Sequence, residues 1–450
     1  MPTIYIDVDS SRPDHLGCYG YDRPTSPEID RFADDALRFD RAYVANSPCM
    51  PSRAAWLSGR HGIHNGIETH GGASQVLNGP QWGRLDGSAE AYRTTPELFF
   101  GERVPTVAVS SFPRHPSPWF YHLWHEFHQP QEPDAEGEYF QTPRAAEVAD
   151  RAIDALERHD DDLFLYVQFW DPHAPYNRTD EQVDRFDDGD APTHPTAGQI
   201  EAHREWDAWR SATGMGIEDR SDLGRLVAGY DAEISYCDRH VGRLLDALRE
   251  QGRYEESTIV LTADHGEEFG EHGLYREHWS VHDGTQNVPL LVKPPAGAGV
   301  DAGATDALVT NVDLPPTLAD YAGLGAPEGW QGRSLRPVIE RGGDGWRDRI
   351  VVDHGLYTAQ RAVRTDRWKF VRTYNPGMWG GVVPDRQLFD MDDDPWEQTD
   401  VAADHPEVVA ELEREMAAWV ETHAGDQEDA LKRVAREGPA GADRGGYEGV

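Results

Sequence analysis

Residues 47–60 read SPCMPSRAAWLSGR, and this stretch organises the rest of the chain. Pro51 near the start of an Ala-, Leu- and Trp-containing run suits the first turn of a helix, and Gly59 can end that helix. Cys49 then lies at the helix N-terminus, where free N–H groups and the helix dipole favour an anion. Arg53 follows one turn later on about the same face, so its guanidinium can reach the same anion. The stretch predicts an anion site in which an unmodified Cys49 thiol is held as a low-pKa thiolate.

Acidic and histidine side chains follow four further stretches that have the composition of buried strands. The carboxyl ends of parallel strands lie at one edge of a sheet, where open α/β proteins bind ligands. Carboxylates and imidazoles gathered at such an edge suit an anion together with a hard metal ion. The residues are Asp9 after strand 3–8, His115 after strand 106–109, Asp171 and His173 after strand 163–169, and Asp264 and His265 after strand 257–262.

The composition is strongly acidic, with a formal net charge of -39 over 450 residues. Lysine occurs only at Lys293, Lys369 and Lys432, so arginine carries almost all of the positive charge. An acidic surface repels nucleic acid and anionic membranes, and we predict no partner of either kind. An acidic recognition surface would concentrate the charge in one block, whereas here it is spread along the chain. This pattern predicts a halophilic protein, because a short Debye length in very high salt screens the self-repulsion.

The number of cysteines and the N-terminal sequence indicate where in the cell the protein is located. Three cysteines, an odd number and far apart, imply neither a disulfide framework nor a zinc site. The N-terminus runs straight into a strand without a basic segment, an apolar core or a cleavage site, and no long apolar run occurs. These features predict a soluble, cytoplasmic protein with one large domain and a smaller one.

Three strings in the chain resemble motifs of the type I sulfatases, a formylglycine-dependent family of the alkaline phosphatase superfamily. They are C-x-P-S-R with its L-S-G-R tail at 49–60, D-P-H-x-P-Y at 171–176 and D-H-G-E at 264–267. The resemblance spans residues 2 to 422. It implies an α/β fold with a large, mostly parallel sheet flanked by helices, and a smaller C-terminal antiparallel sheet plus helix.

The same resemblance implies a division of the chain. Residues 1–342 would form the catalytic domain, and residues 346–424 a small α+β subdomain. Residues 425–450 would be a mobile polar tail.

In that family the Cys of the first string is converted to formylglycine, and the hydrate of its aldehyde is the nucleophile. The resemblance therefore implies that a formylglycine-generating enzyme modifies Cys49. It also implies one divalent metal ion, with Ca²⁺ first and Mg²⁺ or Mn²⁺ as alternatives. The implied metal ligands are Asp9, Ser10, Asp264, His265 and the modified Cys49, with Ser10 standing where many members have a second Asp.

The resemblance also implies which groups act on a sulfate ester. Arg53 and the metal would polarise the sulfuryl oxygens. His173 or His278 would protonate the departing alcohol, and His115 would take the proton of the second hydroxyl of the hydrate.

Further assignments concern substrate binding. Many family members carry a Lys-x-His pair after the strand at 106–109, and His115 would take the role of its His. Arg114 would replace the charge of the missing Lys, and it would bind substrate together with Arg53 and His278. His278 stands where family members carry a Lys or His that contacts the sulfate and the leaving group. His282 is the alternative for this position, and we prefer His278. Two histidines in the Gly-rich loop after the first string, His64 and His70, could face the site, but we expect them at the surface.

The predicted activity is hydrolysis of a sulfate monoester of a small molecule or a glycan. A phosphonate monoester hydrolase or phosphodiesterase of the same superfamily is the alternative, because it shares the C-x-P-S-R string and suits Ser10 and His265. A two-zinc phosphatase would need a Thr or Ser nucleophile in place of Cys49. A catalytically silent protein that binds an anionic glycan would have lost one or more of the catalytic residues, and none is lost.

Overall fold

The computed structural model of the protein describes residues 1–71, 77–78, 92–115, 117–122, 124–132, 143–159, 162–189, 191–206, 216–298, 302–343, 345–424 and 427–441. The strands are β1 (Thr3–Val8), β2 (Leu37–Phe39), β3 (Ala42–Tyr43), β4 (Asn46–Ser47), β5 (Thr106–Val109), β6 (Glu126–His128), β7 (Phe164–Phe169), β8 (Thr258–Thr262), β9 (Glu268–Phe269), β10 (Tyr275–Glu277), β11 (Leu290–Lys293), β12 (Gly303–Thr305), β13 (Val309–Thr310), β14 (Arg349–His354), β15 (Ala359–Thr365), β16 (Trp368–Asn375) and β17 (Arg386–Asp390). The helices are α1 (Pro27–Ala33), α2 (Cys49–Ser58), α3 (Gly62–Asn65), α4 (Thr95–Gly101), α5 (Ala145–Arg158), α6 (Asp180–Val183), α7 (Ala197–Arg204), α8 (Arg220–Glu250), α9 (Asp283–Gln286), α10 (Leu314–Tyr321), α11 (Arg336–Arg341), α12 (Pro406–Ala424) and α13 (Ala430–Glu437). Among these described helices, none combines the length and the apolar character needed to cross a membrane.

Eight strands of the described chain form the central sheet, in the order β12-β2-β11-β8-β1-β7-β5-β6. β1 pairs in parallel with β7 and β8, β5 pairs in parallel with β6 and β7, and β2 pairs in parallel with β12. β11 is antiparallel to both of its neighbours, β8 and β2. The predicted large, mostly parallel sheet is therefore confirmed. Because β1, β5, β7 and β8 end at the same edge, the residues that follow them can meet there.

Strand β1 is buried along its whole length, and its side chains alternate between the two faces of the sheet. Ile4, Ile6 and Val8 pack in a core with α1, α5 and α8. Tyr5 belongs to a second core that includes α2, α4 and α10. Helices therefore flank both faces, and the period of two directs Asp7 towards the same side as Tyr5, where α2 lies.

A second sheet of five strands has the order β17-β16-β15-β14-β4. Its pairs are antiparallel except for β14 with β4, where Asp353 pairs with Asn46 and His354 with Ser47. Helix α12 packs on this sheet through Leu412. The predicted C-terminal antiparallel sheet with a helix is confirmed. Strand β4, which ends two residues before Cys49, is an additional strand of this sheet.

The division of the chain into a catalytic domain over 1–342 and a subdomain over 346–424 stays a prediction. Strand β4 comes from the first range and is hydrogen-bonded to a strand of the second. The two predicted units therefore share a sheet.

The predicted polar tail over 425–450 contains helix α13. Its Leu431 is fully buried, and Asp429 just before it accepts hydrogen bonds from Arg361 at 2.7 and 3.0 Å. Leu431 and Val434 lie one turn apart and form a buried apolar face of α13. The mobile polar tail stays a prediction. Residues 425–426 and 442–450 lie outside the described residues.

Candidate active site

Helix α2 carries the stretch that organises the sequence, and all ten of its residues are buried. Cys49 is its first residue, and Pro51 lies in its first turn, as predicted. Gly59 ends it in the left-handed region at φ 65°, where a side chain would be strained. A Cβ at Gly59 would also lie 2.6 Å from the ring of Trp330. The helix is therefore a core element that brings its N-terminus to the sheet edge.

Arg53 is completely buried and bonds three carboxylates at that edge. Its Nε lies 3.0 Å from Asp7 Oδ2, its Nη2 lies 2.8 Å from Asp9 Oδ2, and its Nη1 lies 2.6 Å from Asp264 Oδ2. One guanidinium faces three carboxyl groups, so negative charge is in excess when all three are ionised. Burial raises the pKa of Asp264 well above its ordinary value, and the charge of Arg53 opposes that effect. Buried charge without compensation is costly, so the group is suited to a divalent cation.

Asp7 is a site residue that the sequence analysis missed. It accepts a hydrogen bond from Tyr166 at 2.5 Å, and its Oδ1 has no hydrogen-bond partner among the described residues. Burial raises the pKa of Asp7, and the neighbouring Arg53 opposes that effect. The sequence signal for Asp7 was its position inside β1, a strand with the composition of a buried strand, where a charged residue is rare.

The orientation of His265 makes its Nε2 an acceptor that faces the site. Its Nδ1 donates to the carbonyl oxygen of Gly266 at 2.8 Å, so Nε2 carries the lone pair. Cys49 Sγ lies 3.1 Å from this Nε2, and Asp264 Oδ2 lies 3.4 Å from it. Burial lowers the pKa of His265 well below its usual value, which favours the neutral ring that a metal ion requires.

Three potential ligand atoms, one each from Asp9, Asp264 and His265, lie within 4.8 Å of one another. Although burial favours the neutral acid, Arg53, His173 and the Ser10 hydroxyl together hold the pKa of Asp9 below its ordinary value. An ionised carboxylate and a neutral imidazole are ready metal donors. These residues fit a metal ion, as the strand-end pattern predicts.

Ser10 orients the carboxylates of this group. Its Oγ donates to Asp9 Oδ1 at 3.1 Å, and its backbone N–H donates to Asp264 Oδ1 at 3.3 Å. Ser10 has a positive φ of 60°, which is a strained conformation for a residue with a side chain. The hydroxyl is thus engaged with a neighbouring carboxylate, and direct ligation by Ser10 stays a prediction.

His278 lies beside His265, with ring centroids 4.2 Å apart. Atoms of Cys49, His265 and His278 lie within 4.8 Å of one another. His278 Nδ1 donates to Glu267 Oε1 at 3.1 Å, which leaves Nε2 for another partner. The ring of His173 is centred 5.6 Å from that of His278, so both candidate acids are at the site. Glu267 orients His278, a role that the D-H-G-E string did not reveal.

His115 and His70 form the wall next to α2. Their ring centroids are 5.1 Å apart, and the Met50 N–H donates to His70 Nε2 at 3.4 Å. His115 Nε2 is buried and has no hydrogen-bond partner in the part of the chain that the structure describes. Burial and the nearby Arg53 lower the pKa of His115 to about 3. The prediction that His70 lies at the surface was wrong, because its ring is buried against the N-terminus of α2.

Several other predicted residues have partners outside the group around Cys49, and their roles stay predictions. The guanidinium of Arg114 pairs with Glu132 at 3.1 Å, and Asp171 accepts from the backbone N–H of Ala145 at 3.0 Å. His64 lies against α12, where its Nε2 is 3.0 Å from His423 Nδ1. His282 belongs to a separate group with Glu268 and His272.

The low-pKa thiolate predicted for unmodified Cys49 is contradicted. Burial raises the pKa of the Cys49 thiol well above its usual value, and the charges of Asp264 and Asp9 raise it further. Arg53 acts in the opposite direction, but its charge is already shared among three carboxylates. The dipole of a helix N-terminus does not outweigh this burial.

Comparison with known proteins identifies the family to which the chain belongs. The sequence model of the family described as Sulfatase matches residues 3–324. The chain belongs to the sulfatase family. It is a type I sulfatase of the alkaline phosphatase superfamily, a sulfuric ester hydrolase. A second model, described as N-sulphoglucosamine sulphohydrolase, C-terminal, matches residues 270–422.

Similar curated proteins are sulfatases as well. The N-acetylglucosamine-6-O-sulfatase of Bacteroides thetaiotaomicron is 26% identical, in an alignment that covers 88% of this sulfatase and 82% of that protein. The choline-sulfatase of Rhizobium meliloti is also 26% identical, over 84% of this chain and 77% of that one.

Solved structures share the fold. A structure described as being in complex with its substrate D-glucosamine-2-N,6-O-disulfate superposes with a TM-score of 0.73 at 20% identity, covering 95% of this chain and 99% of that chain. The phosphonate monoester hydrolase of Agrobacterium radiobacter gives the same TM-score and identity over 94% and 96% of the two chains. The fold of this sulfatase is thus common to enzymes with different substrates.

Proposed function

We propose that this sulfatase hydrolyses a sulfate monoester by means of a formylglycine made from Cys49 and one divalent metal ion. The observation that carries the proposal is Cys49 Sγ at 3.1 Å from His265 Nε2, at the start of a buried helix. A nucleophile at this position would lie close to the potential metal donors Asp9, Asp264 and His265 and to the imidazole of His278.

A metal ion would be held by Asp9, Asp264 and His265, with an oxygen of the modified Cys49 as a further donor. When bound, it would act as a Lewis acid towards the sulfuryl oxygens and the attacking hydroxyl. We propose Ca²⁺ on the strength of the family resemblance. Mg²⁺ and Mn²⁺ accept the same carboxylate donors, and the imidazole suits Mn²⁺ in particular.

Formylglycine hydrate would supply two hydroxyl groups on one carbon, one for attack on sulfur and one for release of sulfate. The proposal therefore requires a formylglycine-generating enzyme as a partner. Neighbouring residues are suited to the proton transfers. His278, fixed by Glu267 at Nδ1, would deliver a proton from Nε2 to the leaving oxygen, and His173 is its rival. His115 Nε2 is buried without a hydrogen-bond partner among the described residues, and burial keeps the ring neutral, so Nε2 would be free of a proton and could accept one.

The substrate class that we propose is a sulfate ester of a sugar or of another small alcohol. Two relatives support this class, the N-acetylglucosamine-6-O-sulfatase and the choline-sulfatase. The direct test is to assay protein from a host that makes formylglycine against 4-nitrophenyl sulfate, N-acetylglucosamine 6-sulfate, choline sulfate and a phenylphosphonate monoester. Faster turnover of any sulfate ester than of the phosphonate supports the proposal.

Phosphonate monoester or phosphodiester hydrolysis is the second candidate. Its support is the Asp264–His265 pair together with the fold shared with a phosphonate monoester hydrolase. Preference for the phosphonate over every sulfate ester would keep the site and change the substrate class.

We expect His278→Gln to slow poor leaving groups far more than activated ones. Turnover of a sugar sulfate should fall about 10²- to 10⁴-fold, because the departing alkoxide needs a proton. 4-Nitrophenyl sulfate should be hydrolysed at a nearly unchanged rate, since its leaving group departs as the anion. The measurement is kcat over a series of leaving groups.

The matched control for this series is His203→Gln, which alters a buried histidine bonded to Tyr275 and outside the Cys49 group. It should leave the whole series unchanged. Equal slowing of all leaving groups by His278→Gln would transfer the acid role to His173.

From the net charge of -39 we also propose that the enzyme works in a salt-rich cytoplasm. The Tm should rise steeply between 0.1 and 1 M KCl, by more than about 5 °C, as the Debye length falls from about 10 to 3 Å. Thermal unfolding followed by circular dichroism measures this. A Tm that is flat below 1 M and rises only above it would indicate general salting-out and contradict the proposal.

A further inference from the structure

A second group of potential metal ligands lies on the segment that follows the D-H-G-E string. Ligand atoms of Glu268, His272 and His282 are within 4.8 Å of one another. Glu268 begins strand β9, His272 lies in the turn between β9 and β10, and His282 directly precedes helix α9. None of the three belongs to the group around Cys49.

Three buried polar atoms of this group lack the hydrogen bonds that buried groups normally make. Both ring nitrogens of His282, which is only 4% exposed, have no partner among the described residues. Glu268 is fully buried; its Oε1 accepts from Ser280 at 3.0 Å and Thr285 at 3.3 Å, while its Oε2 has no partner in the described structure. An unpaired buried carboxylate oxygen and two unpaired imidazole nitrogens point to a ligand.

The surrounding charges favour a cation. The nearest basic side chains each face two carboxylates other than Glu268. Arg12 pairs with Asp14 at 2.9 Å and Glu271 at 2.7 Å, and Lys369 pairs with Asp283 at 2.6 Å and Glu397 at 2.8 Å. No basic side chain is recorded as an ion-pair partner of Glu268 among the described residues.

The protonation states in the metal-free protein are consistent with this arrangement. Burial, with a contribution from Glu271, raises the pKa of Glu268 to about 8, so the acid holds a proton near neutral pH. Burial lowers the pKa of His272 to about 3 and that of His282 well below its usual value, so both rings are neutral. Two neutral imidazoles provide lone pairs, and a cation can replace the proton of the acid.

We infer that Glu268, His272 and His282 form a binding site for Zn²⁺. Two imidazole nitrogens and one carboxylate oxygen are a typical zinc ligand set, whereas Ca²⁺ and Mg²⁺ prefer oxygen donors. The tetrahedral geometry brings ligand atoms to about 3.4 Å from one another. The group within 4.8 Å therefore closes by a small contraction.

Closure requires a movement of the rings. His272 and His282 are now stacked with centroids 3.6 Å apart and an interplanar angle of 13°, and their lone pairs must converge on one point. His272 lies in the turn between β9 and β10 and is more exposed than His282, so the movement that closure requires falls on its ring. On the other side, a Cβ at Gly284 would lie 2.9 Å from the Glu268 carboxyl carbon, and glycine there leaves room for the carboxylate.

A zinc ion at this site would tie together the two ends of the segment 268–282. His278 lies within that segment and contacts the Cys49 group. The ion would thus hold in position the part of the chain that carries the proposed acid.

The test is zinc binding by the full-length protein in high salt. One equivalent of Zn²⁺ is added in the presence of excess Ca²⁺, which occupies the oxygen-rich site, and zinc is measured by mass spectrometry after desalting. We expect about one zinc per chain. The variants His272→Gln, His282→Gln and Glu268→Gln should each retain less than a tenth of it.

Two control variants make the result specific. Cys49→Ala should keep its zinc, which excludes binding by Cys49, His265 and His278. His203→Gln, a buried histidine outside the group, should keep it too. Loss of zinc in Cys49→Ala, or equal retention in the three ligand variants, would overturn the inference.

Substitution by Co²⁺ gives a readout that does not depend on whether the variants fold. The wild-type protein should show the intense visible absorption of four-coordinate Co²⁺ without the near-ultraviolet band of a thiolate ligand. A thiolate band, or the weak spectrum of six-coordinate Co²⁺, would reject this site.

Discussion

Replacing Cys49 by Ala or Ser should lower kcat/KM for a sulfate ester at least about 10⁴-fold, because the nucleophile is lost and only binding interactions remain. The fold should survive either change. Cys49 is a small side chain at 2% exposure, and the substitutions remove or replace only its sulfur atom. Steady-state kinetics over a range of substrate concentrations, with Tm as a measure of folding, tests this.

The chemical state of residue 49 should explain the loss. In active protein, the tryptic peptide that ends at Arg53 should carry an aldehyde or its hydrate, detected by mass spectrometry and by trapping with a hydrazine probe. Burial and the neighbouring carboxylates raise the pKa of an unmodified thiol, so such a thiol would be a poor nucleophile at neutral pH. Activity should therefore scale with the fraction of modified protein.

The matched control is Cys237→Ser, which alters a buried cysteine in the core around α8 and should leave kcat unchanged. Full activity from protein in which Cys49 is an intact thiol would reject the formylglycine mechanism. Activity that survives Cys49→Ala would reject residue 49 as the nucleophile altogether.

Asp264→Asn and Asp9→Asn should each abolish metal binding and lower kcat/KM by more than about 10³-fold, because a neutral amide is a poorer ligand for a hard cation and removes one of the excess negative charges. Both side chains are completely buried, and Asn preserves their shape. The measurements are metal content per chain after desalting and steady-state kinetics at saturating Ca²⁺.

Two further variants separate ligand loss from charge loss. Asp7→Asn weakens the hold on Arg53 Nε but leaves the group of Asp9, Asp264 and His265 intact, so it should keep its metal and lose less activity. Asp231→Asn removes a buried carboxylate paired with His15 outside the site and should lower only the Tm. Equal metal content in Asp264→Asn and wild-type protein would refute the metal assignment.

Local sequence patterns were enough to predict much of this protein. Cys49 and Arg53 lie one turn apart in a helix that Gly59 ends, and Asp9 and Asp264 follow buried parallel strands that share an edge. Such features depend on helix period, strand ends and capping, which act over a few residues. The mostly parallel sheet and the small antiparallel sheet followed from the same short-range signals together with the family resemblance.

Histidine placement shows where those signals end. His278 and His282 are four residues apart, yet one faces Cys49 and the other faces Glu268 and His272. His70 was expected at the surface and lies instead against the N-terminus of α2. Their directions depend on the path of irregular segments, which is decided by packing against elements distant in the chain.

The amino-acid sequence by itself determined the helix that begins at Cys49, the strands whose ends carry Asp9 and Asp264, and the excess of acidic charge. Only the tertiary structure decided that Asp7 joins Asp9 and Asp264 around Arg53, and that burial leaves the Cys49 thiol neutral. The physical reason is that periodicity and capping act between near neighbours, whereas desolvation and ion pairing depend on which distant groups packing brings within a few ångströms.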